Sequence, residues 1–488
     1  MRIRKPLITV GLTLAAALTA AVGSASAGGP TMSLGAAEDA VRADDLVQTQ
    51  AQFAMLGLAG MNSVRITSNW LPGLTAPTDA ELATLHNVEG AALLTGIRVY
   101  VSVYSPGSKT TPLTPEARTQ FASYAAAIVG AIPSFDDIIV ANEPNLNRFW
   151  LPQFNADGTN ASAPAYLALL SETYDAIKAV DPTARVWGGA TSPRGSDRPE
   201  GARQTSSPTA FITALGAAYR ASGRTLPIMD GYAHHPYPDN SAQSPDFTHP
   251  KSTTIAIADY DKLESLLTTA FDGTAQAGST LPILYDEFGI ESVIPSGKAS
   301  LYTGTEPATT KPVDETAQAA AYQRALQIAF CQPNVAGMLL FHSVDENELG
   351  AWQSGVYYAD NTPKSSLVAV HDAFRRTKGG SIARCPGLAL DVTAPKVKFP
   401  AQAAFKRGVR TVKFSCSLDC IWQLRSIRAS DGVGTARVRG YGRAGDAIVA
   451  SLQGRKLGTQ PVKLVLTLVH PVNPGPEWTR ASAPLATR

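Results

Sequence analysis

Short apolar runs alternate with helical stretches eight times along this chain, and that alternation limits the folds open to it. The predicted strands cover residues 31–38, 63–67, 97–104, 138–140, 185–189, 229–234, 282–287 and 335–341. The predicted helices cover residues 45–60, 78–96, 115–130, 164–180, 208–222, 255–271, 313–330 and 363–376. Eight such pairs over roughly 350 residues predict the α/β class and a closed (β/α)8 TIM barrel. An open dinucleotide-binding sheet is disfavoured, since no G-x-G-x-x-G follows the first strand.

The pattern changes near residue 391, where helical periodicity stops. Short alternating runs follow at residues 410–416, 437–439 and 463–469, with turn residues between them. They predict a small all-β sandwich, and its first residues, 391–395, resemble the start of bacterial surface immunoglobulin-like modules. We therefore expect three parts: a signal peptide at 1–27, a barrel catalytic domain at 28–386, and a C-terminal β-sandwich module at 387–488.

The first 27 residues have the pattern of a secretory leader. A basic start is followed by an apolar stretch at 7–22 and by the small residues Ala25-Ser26-Ala27. This predicts a cleaved signal peptide, with an uncleaved N-terminal anchor as the alternative. No later segment reaches 18 consecutive apolar residues, so no transmembrane span is expected. The expected location is outside the cell, with cell-wall association left open.

Charge is divided unevenly between the two predicted domains. Residues 391–488 contain 16 Lys and Arg against 5 Asp and Glu, a net charge of +11, whereas residues 28–390 contain 23 against 35, a net charge of −12. Two regions of opposite sign predict two modules with different roles. The basic module is expected either to contact an anionic wall or acidic glycan, or to dock on the acidic barrel. Nucleic acid is not an expected partner.

The four cysteines are even in number and follow a leader, which favours two disulfides. Three pairings are open, and we favour Cys331 with Cys385 and Cys416 with Cys420, because each then lies within one module. Zinc binding is disfavoured, because paired Cys-x-x-Cys elements are missing. His234-His235 likewise has no second ligand pair at metal spacing, so neither a metal nor another cofactor is expected.

Two glutamates stand where a barrel enzyme carries its chemistry. The β-branched run Ile138-Ile139-Val140 predicts a buried parallel strand, which must end before Pro144 and so leaves Glu143 at its C-terminal mouth. Glu287 ends the seventh predicted strand in the same way. In a closed eight-stranded barrel these two mouths face each other. Paired carboxyl groups across one bond are what glycoside cleavage needs.

The strings Asn-Glu-Pro-Asn-Leu at 142–146 and Glu-Phe-Gly at 287–289 resemble the catalytic motifs of glycoside hydrolase clan A, most closely families 5 and 39. That clan consists of retaining glycosidases on a (β/α)8 barrel. The resemblance implies that Glu143 is the proton donor and acid/base and that Glu287 is the nucleophile. Positive charge and hydrogen-bond donors are then expected around Glu287, which must be ionised to attack.

The resemblance also implies a set of substrate-binding residues: Arg65, Asn142, His235, Tyr237 and Trp352. Arg65 matches the clan's arginine near the nucleophile, and His235-Pro236-Tyr237 matches its His-x-Tyr. Asn142 is expected to bind the sugar 2-hydroxyl, and Trp352 to form a stacking platform. An ordinary salt bridge for Arg65 and a packed imidazole for His235 are the alternatives. Further candidates are Trp70, Tyr104 and Trp150 as platforms, and His342, Asp345 and Glu346 as contacts to sugar hydroxyls.

Secreted hydrolysis of O-glycosidic bonds in oligo- or polysaccharides is therefore the leading hypothesis. A non-catalytic wall- or polysaccharide-binding protein on the same barrel is the alternative from another class. A phosphate-binding aldolase is disfavoured, because the predicted strands carry no lysine for a Schiff base. Hydrolysis and transglycosylation use the same residues and stay undistinguished, as do the sugar, the linkage, and exo or endo action.

Overall fold

The computed structural model describes residues 28–385, 397, 411–417, 420–442, 445, 447–452, 459–469, 478–482 and 485. The predicted signal peptide and the predicted boundary between residues 386 and 387 lie outside the described residues. Among the described residues, none of the helices has the length and apolar character needed to cross a membrane.

Residues 33–378 form the predicted TIM barrel. The elements in chain order are β1 (Ser33–Ala37), α1 (Leu46–Leu58), β2 (Ser63–Asn69), α2 (Asp79–Thr95), β3 (Arg98–Tyr104), α3 (Pro115–Ala131), β4 (Asp137–Val140), α4 (Ser162–Val180), β5 (Arg185–Thr191), α5 (Pro208–Ala221), β6 (Gly231–His234), α6 (Tyr260–Phe271), β7 (Ile283–Phe288), α7 (Glu315–Phe330), β8 (Val335–Phe341) and α8 (Ser366–Lys378). The eight strands pair in chain order, and β1 pairs with β8 in parallel to close the barrel.

Local signals in the sequence explain where the helices begin and end. The side chains of Asp45, Thr78 and Thr114 each accept a hydrogen bond from a backbone N–H in the first turn of the helix that follows. Gly96 ends α2 with φ of 71°, a left-handed conformation that suits glycine. Helix α6 begins at Tyr260, five residues later than predicted, because the residues before it form a short 3-10 turn.

Two apolar layers hold the barrel together. The larger layer lies between the strands and the surrounding helices. A smaller cluster fills the inside of the barrel and includes Tyr100, Trp187 and Leu284. Gly231 on β6 makes room for it, since a Cβ atom there would lie 2.2 Å from the Trp187 ring. The interior is therefore packed, and only the mouths of the strands are free for chemistry.

The described part of the C-terminal module is all β, as predicted. Its strands are β9 (Thr411–Phe414), β10 (Cys420–Arg428), β11 (Gly434–Gly442), β12 (Ile448–Ser451), β13 (Val462–Val469) and β14 (Trp478–Ala481). They form an antiparallel sheet in the order β11-β10-β13-β14 and a second sheet that pairs β12 with β9. Side chains from both sheets share one apolar core.

Both favoured disulfides form. Cys331 bonds Cys385 across 54 residues, and Cys416 bonds Cys420 across 4. The first joins the end of α7 to the segment after α8, so it fixes the last helix of the barrel. The second joins Cys416, just after β9, to Cys420, the first residue of β10.

Candidate active site

A cleft of about 660 Å³ opens at the C-terminal ends of the barrel strands. Most of the predicted site residues line it, namely Arg65, Asn142, Glu143, Tyr237, Glu287 and Trp352. His235 is fully buried and is not among the lining residues; its ring lies behind the two glutamates. Segments that follow several different strands thus contribute side chains to one concave site.

The turn after β4 holds Glu143 in an unusual backbone conformation. Ala141 and Glu143 have φ of 68° and 39°, in the left-handed region that non-glycine residues seldom adopt. The Glu143 N–H donates to the Ala190 carbonyl at 2.8 Å. The Asn145 side chain accepts from the Ser192 N–H at 2.9 Å, which ties the turn to the segment after β5. These bonds hold the strained turn in place, a pattern common at active sites.

A β-bulge sets the direction of Glu287. Three steps along β7, from Tyr285 to Phe288, match two steps along β8. Tyr285 and Phe288 both pack into the layer against the helices. The two residues between them, Asp286 and Glu287, can therefore both face the inside of the barrel, although neighbours in a regular strand point to opposite faces.

Glu143 and Glu287 lie close together across the cleft floor. One oxygen of each carboxylate and one ring nitrogen of His235 all lie within 4.8 Å of one another. The Nδ1 of His235 lies 3.1 Å from Oε1 of Glu143 and 3.2 Å from Oε2 of Glu287. The imidazole is thus placed between the two carboxylates on their buried side.

Glu287 is held by two further donors. The Tyr237 hydroxyl donates to its Oε2 at 2.9 Å, and the guanidinium of Arg65 donates to its Oε1. Arg65 also donates to Oδ1 of Asn142 at 2.9 Å and to the Ser102 hydroxyl at 3.2 Å. Glu287 is therefore fixed by a positive charge and a hydroxyl, and the amide nitrogen of Asn142 is left for another partner.

Asp286 is a site residue that sequence reasoning missed. It is fully buried, and neither of its oxygens has a hydrogen-bond partner among the described residues. Its carboxylate lies 3.4 Å from Nε2 of His235 and 3.6 Å from Nε of Arg65. The signal available in the sequence was its position next to Glu287 at a strand end.

The charges at this site shift the acid–base behaviour of the buried groups. Burial alone would lower the pKa of His235, but the negative charges of Glu287 and Asp286 raise it to about 10. Burial alone would raise the pKa of Asp286, and the positive charges of His235 and Arg65 bring it below its usual value. Burial together with the Glu287 charge raises the pKa of the Tyr237 hydroxyl well above its usual value. Near neutral pH, His235 is therefore a cation with two N–H donors.

That protonation decides how the cluster of Glu143, His235 and Glu287 can act. Its geometry has the spacing of a metal site. A metal ligand, however, must be a neutral imidazole with a free lone pair. The pKa of about 10 for His235 leaves both ring nitrogens protonated near neutral pH. A cation would have to displace that proton, and two carboxylates with a protonated imidazole between them suit acid–base chemistry.

Aromatic rings form part of the cleft wall. Trp352 lines the cleft, with its ring 4.9 Å from the Tyr237 ring and 5.3 Å from the Phe341 ring. Tyr104 lines it as well. Trp70 and Trp150 were wrong as platform candidates, because both are buried in the core against the helices; their exposed fractions are 0% and 2%.

The loop after β8 contributes two of its three predicted residues. His342 and Glu346 line the cleft. Asp345 does not line it; the residue is 5% exposed and forms an ion pair with the buried Lys364 at 2.8 Å. Sequence reasoning missed several polar and aromatic residues of the cleft, among them Glu38, Asp39, Arg148, Phe149 and Glu348.

Comparison with known proteins gives matches only among solved structures. No protein-family model matches the chain, and no curated protein matches it. A GH39 enzyme from Xanthomonas axonopodis pv. citri is similar at 15% identity and a TM-score of 0.47, over 88% of this chain and 93% of that one. GH5_18 from Streptomyces cattleya in complex with GlcNAc is similar at 17% identity and a TM-score of 0.48, over 72% of this chain and 81% of that one.

A third match is partial on the other protein's side. Bacteroides uniformis beta-glucuronidase 2 is similar at 13% identity and a TM-score of 0.42, over 94% of this chain. This chain spans 46% of the length of that protein. GH39 and GH5 are the two families that the motifs at 142–146 and 287–289 resemble. The chemistry proposed for this chain rests on the geometry of its own side chains.

Proposed function

We propose that this chain is a secreted retaining glycosidase that hydrolyses O-glycosidic bonds by double displacement. The observation that carries the proposal is the close approach of Glu143 and Glu287, whose nearest charged atoms lie within 4.8 Å. Retaining enzymes hold their two carboxyl groups about 5–5.5 Å apart, whereas inverting enzymes need about 6.5–9.5 Å to admit a water molecule. The nearest carboxylate oxygens of this pair lie within 4.8 Å and both carboxylates contact Nδ1 of His235, an arrangement that supports the closer, retaining spacing.

In the first step, Glu287 acts as the nucleophile and Glu143 as the acid. A carboxylate oxygen of Glu287 bonds the anomeric carbon while the glycosidic C–O bond breaks. The proton of Glu143 moves to the leaving oxygen, so the alcohol departs neutral. Arg65 and Tyr237 support this assignment, because a charge and a donor on Glu287 hold its attacking carboxylate in one orientation.

In the second step, Glu143 acts as the base. It takes a proton from water, the resulting hydroxide oxygen bonds the anomeric carbon, and the bond to Glu287 breaks. His235 donates toward both carboxylates at 3.1 and 3.2 Å and so positions them through the cycle without touching substrate. The net result is hydrolysis with the starting configuration kept.

Substrate contacts are proposed for the cleft residues. The Asn142 amide oxygen already accepts from Arg65. Its NH2 group is therefore assigned to the sugar 2-hydroxyl, a contact that strengthens in the transition state. Trp352 is assigned as the stacking platform, because its ring forms part of the cleft wall.

The stereochemistry of the product tests the mechanism. We would first find a substrate by screening aryl glycosides and plant and microbial polysaccharides with the purified full chain. Proton NMR would then identify the first anomer formed, before mutarotation, with Glu287→Gln as the inactive control. A retained anomer is expected. An inverted anomer as the first product would refute double displacement.

Secretion is proposed from the leader pattern at residues 1–27 and from the two disulfides, which persist in oxidising compartments. The expected mature protein begins at Gly28, after the small residues of the cleavage site. The intact mass of the exported protein shows at which residue the mature protein begins. A mass that retains residues 1–27 would favour an N-terminal anchor.

A further inference from the structure

The four-stranded sheet of the C-terminal module has one apolar side and one basic side. Trp422, Leu424 and Leu466 point into the module core. Because neighbours along a strand point to opposite faces, Gln423 and Arg425 point away from that core. The outward side of β10 is therefore polar and charged.

Three arginines lie together on the outward side. Arg425 on β10 stands directly opposite Arg437 on β11 in the strand register, and Arg439 is two residues further along β11. All three are exposed, and Lys463 on β13 adds a half-exposed charge to the same side. Like charges directly opposite each other destabilise a sheet unless an anion lies between them.

Carboxylates that would neutralise this cluster are missing from the sheet. The strands β10, β11, β13 and β14 contain neither Asp nor Glu. Among the described residues of the module, the one ion pair is Arg428 with Asp431 at 3.3 Å, at the turn between β10 and β11. The guanidinium groups of the cluster therefore face outward without a carboxylate partner in the described part of the module.

A row of uncharged polar side chains crosses the sheet beside the arginines. Gln423 stands opposite Arg439 on one side and Thr467 on the other. Thr467 stands opposite Thr479, and their hydroxyl oxygens are 3.3 Å apart. An amide and two hydroxyls in one line provide donors and acceptors for sugar hydroxyls.

We propose that this basic face, defined as Arg425, Arg437, Arg439, Gln423 and Thr467, binds a carboxylated polysaccharide. Guanidinium groups pair with carboxylates through two parallel hydrogen bonds. The row of uncharged polar side chains provides hydrogen bonds for the hydroxyl groups of the same polysaccharide. The choice of a glycan as occupant rests on the proposed function, and its negative charge follows from the cluster itself.

This surface gives the module a role that the barrel could not fill. Residues 28–390 carry a net charge of −12 and would be repelled by an acidic glycan. A basic face on the attached module attracts that glycan and raises the local concentration of cleavable bonds near the cleft. Such binding weakens as salt rises.

Sedimentation with defined glycans tests the proposal. The full chain is mixed with insoluble polygalacturonate or with insoluble neutral xylan, at low and at high salt. We expect the protein to sediment with polygalacturonate at low salt, to be released from it at high salt, and to sediment little with xylan. Equal binding to both glycans would overturn the proposal. Binding to phosphate-rich walls or anionic vesicles without binding to polygalacturonate would also overturn it.

A pair of triple variants with the same net charge locates the surface. Arg425→Ser, Arg437→Ser and Arg439→Ser together should raise the Kd for polygalacturonate about tenfold or more, since each exposed ion pair contributes a few-fold. The control combines Lys251→Ser, Arg375→Ser and Lys413→Ser, three exposed cations outside the basic face, and should bind as the parent does. Equal losses in both variants would refute the assignment to this face.

The same variants separate this proposal from the proposed function. Activity on a small aryl glycoside should be unchanged in both triple variants, because none of the changed residues lines the cleft. Circular dichroism and thermal unfolding confirm that each variant folds. If neither an aryl glycoside nor a polysaccharide is cleaved, the proposed function fails while the sedimentation result stands on its own.

Discussion

Nε2 of His235 lies 3.4 Å from Oδ1 of Asp286, and both side chains are fully buried beneath the cleft floor. The other ring nitrogen of His235 faces Glu143 and Glu287. A single imidazole therefore connects a buried carboxylate to the two carboxylates at the surface of the site. The site therefore contains two cations, His235 and Arg65, among three acidic side chains.

Asp286→Asn tests whether this buried charge controls His235. The change removes a negative charge that raises the pKa of His235, so that pKa should fall from about 10, by about 1–3 pH units. Below its pKa His235 is a cation with two N–H donors, and above its pKa the ring is neutral and keeps one. We therefore expect the alkaline limb of the kcat/KM profile to move to lower pH, together with the ring resonances of His235 in an NMR titration.

Asp372→Asn on α8 is the matched control, because it removes the same charge from a partly exposed residue that does not line the cleft. Its profile should match that of the parent. If Asp286→Asn also leaves the His235 titration unchanged, Asp286 does not set the protonation of the imidazole.

Glu143→Ala and Glu287→Ala should differ on activated substrates. Loss of the acid/base should lower the rate by about 10²–10⁴-fold, mainly for substrates with poor leaving groups. Glu143→Ala should therefore keep activity on aryl glycosides with very good leaving groups, and azide should restore turnover as a glycosyl azide of retained configuration. Glu287→Ala should lose the covalent route. Identical behaviour of the two variants in this assay would mean that the roles are assigned wrongly.

Tyr237→Phe should lower kcat by about 10- to 100-fold, since a hydrogen bond to a charged group contributes about 1.5–3 kcal/mol. The hydroxyl that donates to Glu287 at 2.9 Å is lost, while the ring next to Trp352 is kept. Tyr104→Phe is the control, because its hydroxyl lies in the same cleft but contacts Thr67 at 3.4 Å. Equal kcat values for the two variants would argue against the Tyr237 contact.

Trp352→Ala should affect substrate binding, whereas Trp150→Ala should affect stability. Trp352 lines the cleft, so its loss should raise KM with little change in thermal stability. Trp150 is buried in the core, and its loss should lower the free energy of unfolding by about 3–5 kcal/mol. Steady-state kinetics and denaturant unfolding of both variants measure this. A stability loss in Trp352→Ala with unchanged KM would contradict the platform assignment.

The order of strands and the positions of Glu143 and Glu287 could be predicted, because β-branched runs, helix caps and turn residues are local signals. The direction of Glu287 could not. Regular alternation along β7 would place Glu287 on the same side as Tyr285, toward the helices. The bulge that turns it inward depends on pairing with β8, which is far away in sequence.

The aromatic residues show the same limit. Trp70, Trp150 and Trp352 all lie near strand ends in the sequence, and no local pattern separates them. Packing against the helices buries the first two, while Trp352 reaches the cleft from the loop after β8. Tertiary contacts, and not residue type, decide which ring can meet a sugar.

The disulfide between Cys331 and Cys385 also has a mechanical consequence. If the C-terminal module is held on an immobile polymer, any pull on it enters the barrel at Cys385. The covalent bond passes that tension directly to Cys331 at the end of α7. Residues 332–384, which include β8, its cleft loop and α8, lie inside the closed loop, so the covalent path of the load bypasses them. A tethered barrel would therefore keep its last strand, and the cleft wall with Trp352, in place under a pull that would otherwise peel them away first.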